Sequence, residues 1–166
     1  MALLGRLRHH LARILTVAMA ALFVASLAPA PAHAAYSSPV TVNIQLRSYD
    51  ASYNLYLVGK VYGTIQFDDS NRRYRLSLVV CRQSSYVAPH VTVYVNGAYH
   101  HSGVNWDQVR RPEICDDYWG NSGTINGDFT YSGVVRNVTI QIRGLHFDMY
   151  TAREVIREGT YDNPFN

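Results

Sequence analysis

The chain has 166 residues and a formal net charge of +3 at pH 7, with 15 Lys and Arg against 12 Asp and Glu. Three of the basic residues fall within the first 34 positions, which contain no acid, so residues 35–166 carry 12 charges of each sign. This balance gives no electrostatic reason to expect DNA, RNA or anionic lipid as a partner, and the remaining length suffices for the core of one domain and not of two.

The N-terminus has the three-part pattern of a secretory signal peptide. Met1–Arg13 holds three arginines, Ile14–Ala28 is apolar almost throughout, and Ala32 and Ala34 have the A-x-A spacing that signal peptidase accepts. A membrane anchor is the alternative, but the apolar stretch is shorter than the roughly 20 residues that span a bilayer. We therefore predict a bacterial-type signal peptide at 1–34, cleaved after Ala34. The secreted, extracellular product would be a single domain at 35–166 without a stable membrane anchor.

Only two cysteines occur, Cys81 and Cys115. In an oxidising compartment, an isolated pair outside any C-x-x-C or Cys/His cluster is typical of one structural disulfide. Closing that loop should stabilise the domain by roughly 3–4 kcal/mol in the chain-entropy treatment. A catalytic or metal-binding thiol is the alternative. We predict no metal and no cofactor.

Period-two alternation of apolar and polar side chains dominates the sequence from residue 40 onward, as half-buried strands require. The segment 68–71 has the composition of a hairpin turn, and Asn96-Gly97 suits the two positive φ values of a type I′ turn. The predicted strands lie near 40–46, 57–67, 74–80, 91–95, 99–101, 124–131, 138–142 and 145–149. This pattern predicts an all-β fold, a single antiparallel β-sandwich of seven or eight strands, either immunoglobulin-like or jelly-roll-like.

The segment that begins at Thr151 departs from this pattern. Thr151 and Glu154 have the spacing of a capping box, and Gly159 could end a helix. One or two helical turns are therefore the preferred prediction at the C-terminus, with a final strand as the alternative.

The residues between 102 and 122 lack periodicity and combine aromatic rings with acids and amides. Flat rings offer apolar faces to a sugar or a protein side chain, and the polar groups can hydrogen-bond at its edge. The alternative is that a long loop near a disulfide uses its rings as a small core of its own. The candidate ligand-binding residues are Trp106, Asp107, Tyr118, Trp119 and Asn121.

Catalysis has weaker support in the sequence. Asp107 could converge with Glu113 or Asp116 across the loop, as acid/base hydrolysis of glycosides requires, but no spacing compels it. Neither a zinc-protease helix motif nor a serine nucleophile motif is present. We therefore name no catalytic residue.

The stretch from Cys81 to Gly97 resembles the reactive-loop region of bacterial subtilisin inhibitors. It contains a Cys, a short loop with Tyr86 and Pro89, a β-branched strand and the Asn96-Gly97 turn. The resemblance ends there, since that family's second disulfide is missing. It implies a rigid loop that enters a protease cleft. The inhibitor residues would be Arg82, Gln83, Ser84, Ser85 and Tyr86.

Three functional hypotheses follow. The leading one is a small secreted binding or interaction domain without catalytic activity, whose ligand is an extracellular protein or polysaccharide. It draws on the 13 tyrosines, all of which follow the predicted signal peptide. A secreted protease inhibitor is the alternative, and a small glycoside-type hydrolase is the third.

Overall fold

The computed structural model describes residues 35–107, 115, 121–148 and 151–166, so the predicted signal peptide lies outside the described part. Every element in that part is a β-strand. The strands are β1 (Val40–Tyr49), β2 (Leu55–Phe67), β3 (Arg73–Arg82), β4 (His90–Val95), β5 (Ala98–Ser102), β6 (Asn105–Trp106), β7 (Ser122–Thr130), β8 (Asn137–Asp148) and β9 (Thr151–Asp162). No helix within the described ranges is long and apolar enough to cross a membrane.

The strands form two antiparallel sheets that pack face to face, which confirms the predicted all-β sandwich. The first sheet has the order β1-β2-β3-β7-β6, and the second has the order β5-β4-β8-β9. The chain crosses between the sheets after β3, after β5 and after β7. Both sheets therefore contribute to one core.

That core consists of the inward-facing members of each alternating run. Val42, Leu46 and Leu78 from the first sheet, and Val93 and Ile140 from the second, are almost completely buried. Full burial of one such aliphatic side chain stabilises the fold by roughly 1.5–3 kcal/mol. The polar residues between them face solvent.

Two turns fold as the sequence predicts. Asn96 and Gly97 have φ values of 53° and 80°, which close the β4–β5 hairpin. Between β2 and β3, the buried Asp68 carboxylate accepts hydrogen bonds from the Ser70 hydroxyl and from the backbone N–H of Arg73. Asp68 therefore organises the turn from inside.

The prediction of a C-terminal helix is wrong. Residues from Thr151 onward form β9, which pairs with β8 from Asp148↔Thr151 to Asn137↔Asp162. A capping box stabilises only the first turn of a helix, whereas pairing with β8 satisfies backbone groups along twelve residues. Tyr161 also packs against the core from this strand.

The strand count is nine in the described part, against the seven or eight predicted. The predicted strands 138–142 and 145–149 are one continuous strand, β8. The short strand β6 and the final strand β9 were not predicted as strands in the preferred interpretation.

The disulfide prediction is confirmed. Cys81 in β3 is bonded to Cys115, their Cα atoms are 5.5 Å apart, and both residues are fully buried. The bond ties the segment between β6 and β7 to the centre of the first sheet.

Candidate functional site

One end of the sandwich collects exposed aromatic and aliphatic side chains. In the described part, seven of the twelve exposed large hydrophobic residues lie at this end, so their distribution is not even. We call this set the aromatic end. Its members are Tyr49, Tyr53, Leu55, Tyr56, Tyr86, Val87 and Phe147.

The β1–β2 turn places Tyr53 at the tip of the aromatic end. The Asp50 carboxylate accepts hydrogen bonds from the backbone N–H groups of Ser52 and Asn54, both at 2.8 Å, and from the Asn54 side chain at 2.9 Å. The bond from the Asn54 side chain is the largest of the effects that lower the pKa of Asp50. Tyr53 has a φ of 61° and is 86% exposed, because the turn directs it away from the core.

The crossover from β3 to β4 is fixed to both sheets by its backbone. The Leu57 carbonyl accepts from the Ser84 N–H and hydroxyl at 3.1 and 2.8 Å. On the second sheet, the Tyr86 N–H donates to the Leu145 carbonyl at 2.7 Å, and the Ser85 hydroxyl accepts from the Leu145 N–H at 3.1 Å. Ser85 is consequently only 3% exposed.

The Arg82 side chain holds this crossover through hydrogen bonds to its backbone. Its guanidinium donates to the carbonyls of Ser85 and Tyr86 at 2.8 and 2.7 Å. The Gln83 amide donates to the Cys115 carbonyl, so the crossover is also tied to the disulfide. Tyr86 is the aromatic residue of the predicted inhibitor segment, and it is 63% exposed.

Phe147 reaches the surface because the apolar pattern of β8 changes phase. Ile140 and Ile142 face the core, and the same side of the strand continues with Gly144 and the buried His146. Phe147 therefore faces outward, and its ring stacks on Tyr86 with a centroid distance of 5.4 Å. The two rings join β8 to the crossover on the outer face of the second sheet.

A shallow pocket of about 190 Å³ lies beside these rings, lined in part by Val87, Leu145 and Arg143. Arg143 donates to the Gln141 side chain at 3.0 Å and forms an ion pair with Glu154 at 3.7 Å. Its Nε is buried without a hydrogen-bond partner in the described chain. The aromatic end thus has a polar border that contains both charge signs.

The predicted loop residues that the structure describes lie near the disulfide. Trp106 is half-buried and packs against the core, where it limits the space at Gly123. The exposed Asp107 accepts a hydrogen bond from the Ser122 hydroxyl at 3.0 Å. The Asn121 carbonyl accepts from the Arg82 N–H at 2.9 Å. These three residues bound the loop at its two ends.

The structure therefore brings part of the two predicted sites together. Asn121 meets Arg82, and Cys115 meets Gln83, so the ends of the predicted loop and the predicted inhibitor segment share one hydrogen-bonded region. Several predicted residues lie outside the described part of the chain: Tyr118, Trp119, Glu113 and Asp116.

A second concave feature, which we call the side groove, lies between the edges of the two sheets. It has a volume of about 670 Å³. Its lining comes from β5, from the crossover before β6, from β6 itself and from β7. The lining residues are His101, Gly103, Val104, Asn105, Thr124, Ile125, Asn126 and Phe129.

Two consecutive histidines lie in β5 at this groove, and the second of them, His101, lines it. The Tyr74 hydroxyl lies 2.7 Å from His100 Nδ1, and His100 Nε2 lies 3.2 Å from the Thr130 carbonyl oxygen. A carbonyl can only accept, so Nε2 carries the proton and Nδ1 accepts from Tyr74. Burial raises the pKa of the Tyr74 phenol, which keeps it a donor. The His101 ring contacts the Phe129 ring, with a centroid distance of 5.0 Å.

Acidification should destabilise the protein through His101. Burial, followed by the neighbouring His100, lowers the pKa of His101 below its ordinary 6.5. The unfolded chain then binds a proton at a higher pH than the folded chain does, so this stability is complete above pH 6.5 and falls as the pH drops toward the folded pKa. We expect unfolding free energies measured between pH 7 and 5 to decline, and less so for His101→Gln. An NMR titration midpoint of His101 at or above 6.5 would contradict this prediction.

Sequence inspection missed much of the aromatic end. Tyr53 lies in a turn between Ser52 and Asn54, and a large ring in an otherwise polar turn is a local signal that could have identified it. Phe147 was assigned to an ordinary strand pattern. The side groove has no local signal, because it depends on which strands become edges.

Among the residues that the structure describes, no three His, Cys, Asp or Glu side chains come together in an arrangement that could hold a metal ion. The arrangement at the aromatic end offers contact area and hydrogen bonds. Comparisons with protein-family models, with curated proteins and with solved structures found no match to this chain.

Proposed function

We propose that this protein is a secreted, non-catalytic recognition domain that binds an extracellular protein through the aromatic end. The observation that carries the proposal is the concentration of exposed rings and aliphatic side chains at one end of the sandwich, on the β1–β2 hairpin, the β3–β4 crossover and the end of β8. Isolated exposed apolar residues are ordinary, but a group of this kind marks an interaction site.

The composition of the aromatic end favours a protein partner. Tyrosine supplies a large contact area, loses little conformational entropy and keeps a hydroxyl for hydrogen bonding, which is why protein-recognition surfaces are rich in it. The border of Arg143 and Glu154 can form polar contacts around an apolar centre. The backbone bonds that hold the crossover reduce the ordering required on binding.

Secretion is supported by two features. The first 34 residues have the pattern of a signal peptide, and the buried disulfide suits an oxidising compartment. Both features support an extracellular partner.

Protease inhibition is a second candidate, favoured by the way Arg82 holds the crossover. An inhibitory loop must resist rearrangement in the protease cleft, and the two hydrogen bonds from Arg82 provide such resistance. Because Ser85 is buried, the exposed residues that a protease would contact are Ser84 and, after it, Tyr86 and Val87.

The test compares two triple variants of the exported, oxidised protein. Tyr53→Ser, Tyr86→Ser and Phe147→Ser remove rings from the aromatic end, whereas Tyr99→Ser, Val134→Ser and Phe165→Ser remove exposed apolar side chains elsewhere. Each substitution is at an exposed position, so each should change stability by no more than about 1.5 kcal/mol, the upper end for loss of a stacked ring pair such as Tyr86 with Phe147. The probes are immobilised subtilisin-like and trypsin-like proteases, and particles of peptidoglycan, cellulose and chitin.

We expect retention on at least one protein probe, lost by tenfold or more in the first variant and unchanged in the second. Stoichiometric inhibition that disappears on Tyr86→Asp alone would identify the inhibitor. Retention on a polysaccharide only, equal loss in both variants, or no retention on any probe would overturn the protein-recognition proposal.

A further inference from the structure

Among the residues that the structure describes, no strand covers most of the edge of the first sheet beside the side groove. Strand β6 pairs with β7 only through Asn105↔Thr124 and Trp106↔Gly123. Beyond Thr124, no strand in the described ranges pairs with this side of β7. Five residues, Ile125 to Phe129, therefore extend about 17 Å along an edge that β6 does not cover.

The pairing of β7 with β3 determines which backbone groups face that edge. Two hydrogen bonds, from Arg82 N to Asn121 O and from Tyr131 N to Arg72 O, show which residues bond across the β3–β7 pair at its two ends. Odd-numbered residues of β7 therefore bond to β3, and the N–H and C=O groups of Asn126 and Asp128 point away from it.

Two other contacts agree with this alternation. The Ser122 carbonyl accepts from the Asp107 N–H at 2.9 Å, and the Thr130 carbonyl lies 3.2 Å from His100 Nε2. Both even-numbered carbonyls thus point to the same side of β7.

The groove beside this edge is uncharged in the described chain. Ile125, Phe129 and Val104 supply apolar surface, and the other lining groups are amides, a hydroxyl, a glycine and His101. The nearest carboxylate on β7, Asp128, is bound by Arg75 at 2.6 and 3.0 Å. The volume of about 670 Å³ falls within the roughly 300–1,000 Å³ of ordinary ligand sites.

We propose that the side groove binds an extended, uncharged polypeptide segment of a partner protein, which adds as a strand to β7 at Asn126 and Asp128. Alternate side chains of that segment lie in the groove against Ile125 and Phe129. A peptide is the ligand that matches this edge, because its N–H and C=O groups recur at every second residue as those of the edge do. The site is separate from the aromatic end and does not depend on it.

The probe is a fluorescent, acetylated hexapeptide amide of alternating Thr and Val. Two N-methylated versions serve as matched controls, one methylated at the three Thr residues and one at the three Val residues. In an added strand, only one of these sets directs its N–H groups to β7, so one methylated peptide should bind at least tenfold more weakly than the other. Binding through side chains alone would not distinguish the two sets.

The protein-side readout is amide hydrogen exchange followed by NMR on the oxidised protein. We expect the peptide to slow exchange at Asn126 and Asp128 at least tenfold. Asn126→Pro removes an edge N–H, together with the side-chain oxygen that accepts from the Leu78 N–H at 3.1 Å, and should abolish binding. Glu158→Pro, at an outward N–H of another edge strand, β9, should not abolish it. If Asn126→Pro does not fold, the difference between the two N-methylated peptides still decides the question.

Several results would overturn the proposal. Two concern the peptides: equal binding of both N-methylated versions, or no binding of the hexapeptide at about 5 mM, a concentration at which even weak association would be detected. Two concern the site: protection from exchange at amides away from β7, or protection of Asn126 and Asp128 by chitohexaose or xylohexaose instead of the peptide. Concentration-dependent protection without any peptide would identify a second copy of the chain as the occupant and would also overturn the partner assignment.

Discussion

Replacing Gly63 by alanine is expected to lower the free energy of unfolding by about 4 kcal/mol or more. Gly63 lies in β2 opposite Leu78, and its φ is 140°, a conformation that residues with a Cβ rarely adopt. An added Cβ would lie 2.0 Å from the Ser77 carbonyl oxygen. Because that neighbour is backbone within a central strand, relief requires separation of β2 from β3. Losses of this size are exceptional for a single substitution.

Gly97→Ala provides the matched control. Gly97 also has a positive φ, but no atom lies within 4 Å of the position of an added Cβ. Its loss should be about 1 kcal/mol, the backbone contribution alone. Urea unfolding of both oxidised variants, followed by tryptophan fluorescence, measures the difference. A Gly63→Ala loss within 1 kcal/mol of the Gly97→Ala loss would show that the two strands do not approach as closely as described.

Removal of the disulfide is expected to lower the free energy of unfolding by roughly 3–4 kcal/mol, since the bond closes a loop with a sequence separation of 34. Cys81→Ala with Cys115→Ala should match the reduced wild-type protein in urea unfolding. Both cysteines are fully buried, so a reductant should reach the disulfide of the native protein only after local opening. The rate of reduction by dithiothreitol should therefore rise with urea.

A loss below about 1 kcal/mol in the double variant would indicate that the crossover and the loop hold their positions without the bond. Rapid reduction of the native protein in the absence of urea would contradict the burial of the two cysteines. The single variant Cys115→Ala separates loss of the bond from loss of the Cys81 side chain, because it removes the bond and leaves Cys81 within β3.

The sequence predicted those parts of the fold in which local pattern and tertiary environment agree. β1 alternates from Val42 onward and β3 alternates as far as Val80, each with one buried face, so the apolar pattern was enough to predict both strands. In β8 the apolar residues change from even to odd positions between Ile142 and Leu145, which looks like the start of a new strand. The backbone continues instead, because β9 pairs along its whole length.

The C-terminal segment shows the limit of local signals. Thr151, Glu154 and Gly159 have helix-type spacing, but an unpaired edge of β8 provides more backbone hydrogen bonds than one helical turn could. Tertiary pairing therefore decided the conformation.

The candidate site was predictable only in part. Tyr86 and the region around the disulfide were identified from the residues between Cys81 and Pro89 and from the aperiodic loop. The approach of Tyr53 and Phe147 to the same end depends on strand order, which no short stretch of sequence encodes. The open edge of β7 depends on the brevity of β6, whose two residues carry no strand pattern.

The loops of the aromatic end are held by main-chain hydrogen bonds and by Asp50, Arg82 and Ser85, rather than by the rings they expose. Side-chain identity at the surface is thereby uncoupled from folding. Positions such as 53, 86 and 147 can be randomised in a display library. The display fusion can follow residue 166, because the buried Asn163 donates to the Val135 carbonyl and holds this segment away from the aromatic end. The domain is thus a natural framework for engineered binders that requires a single cross-link.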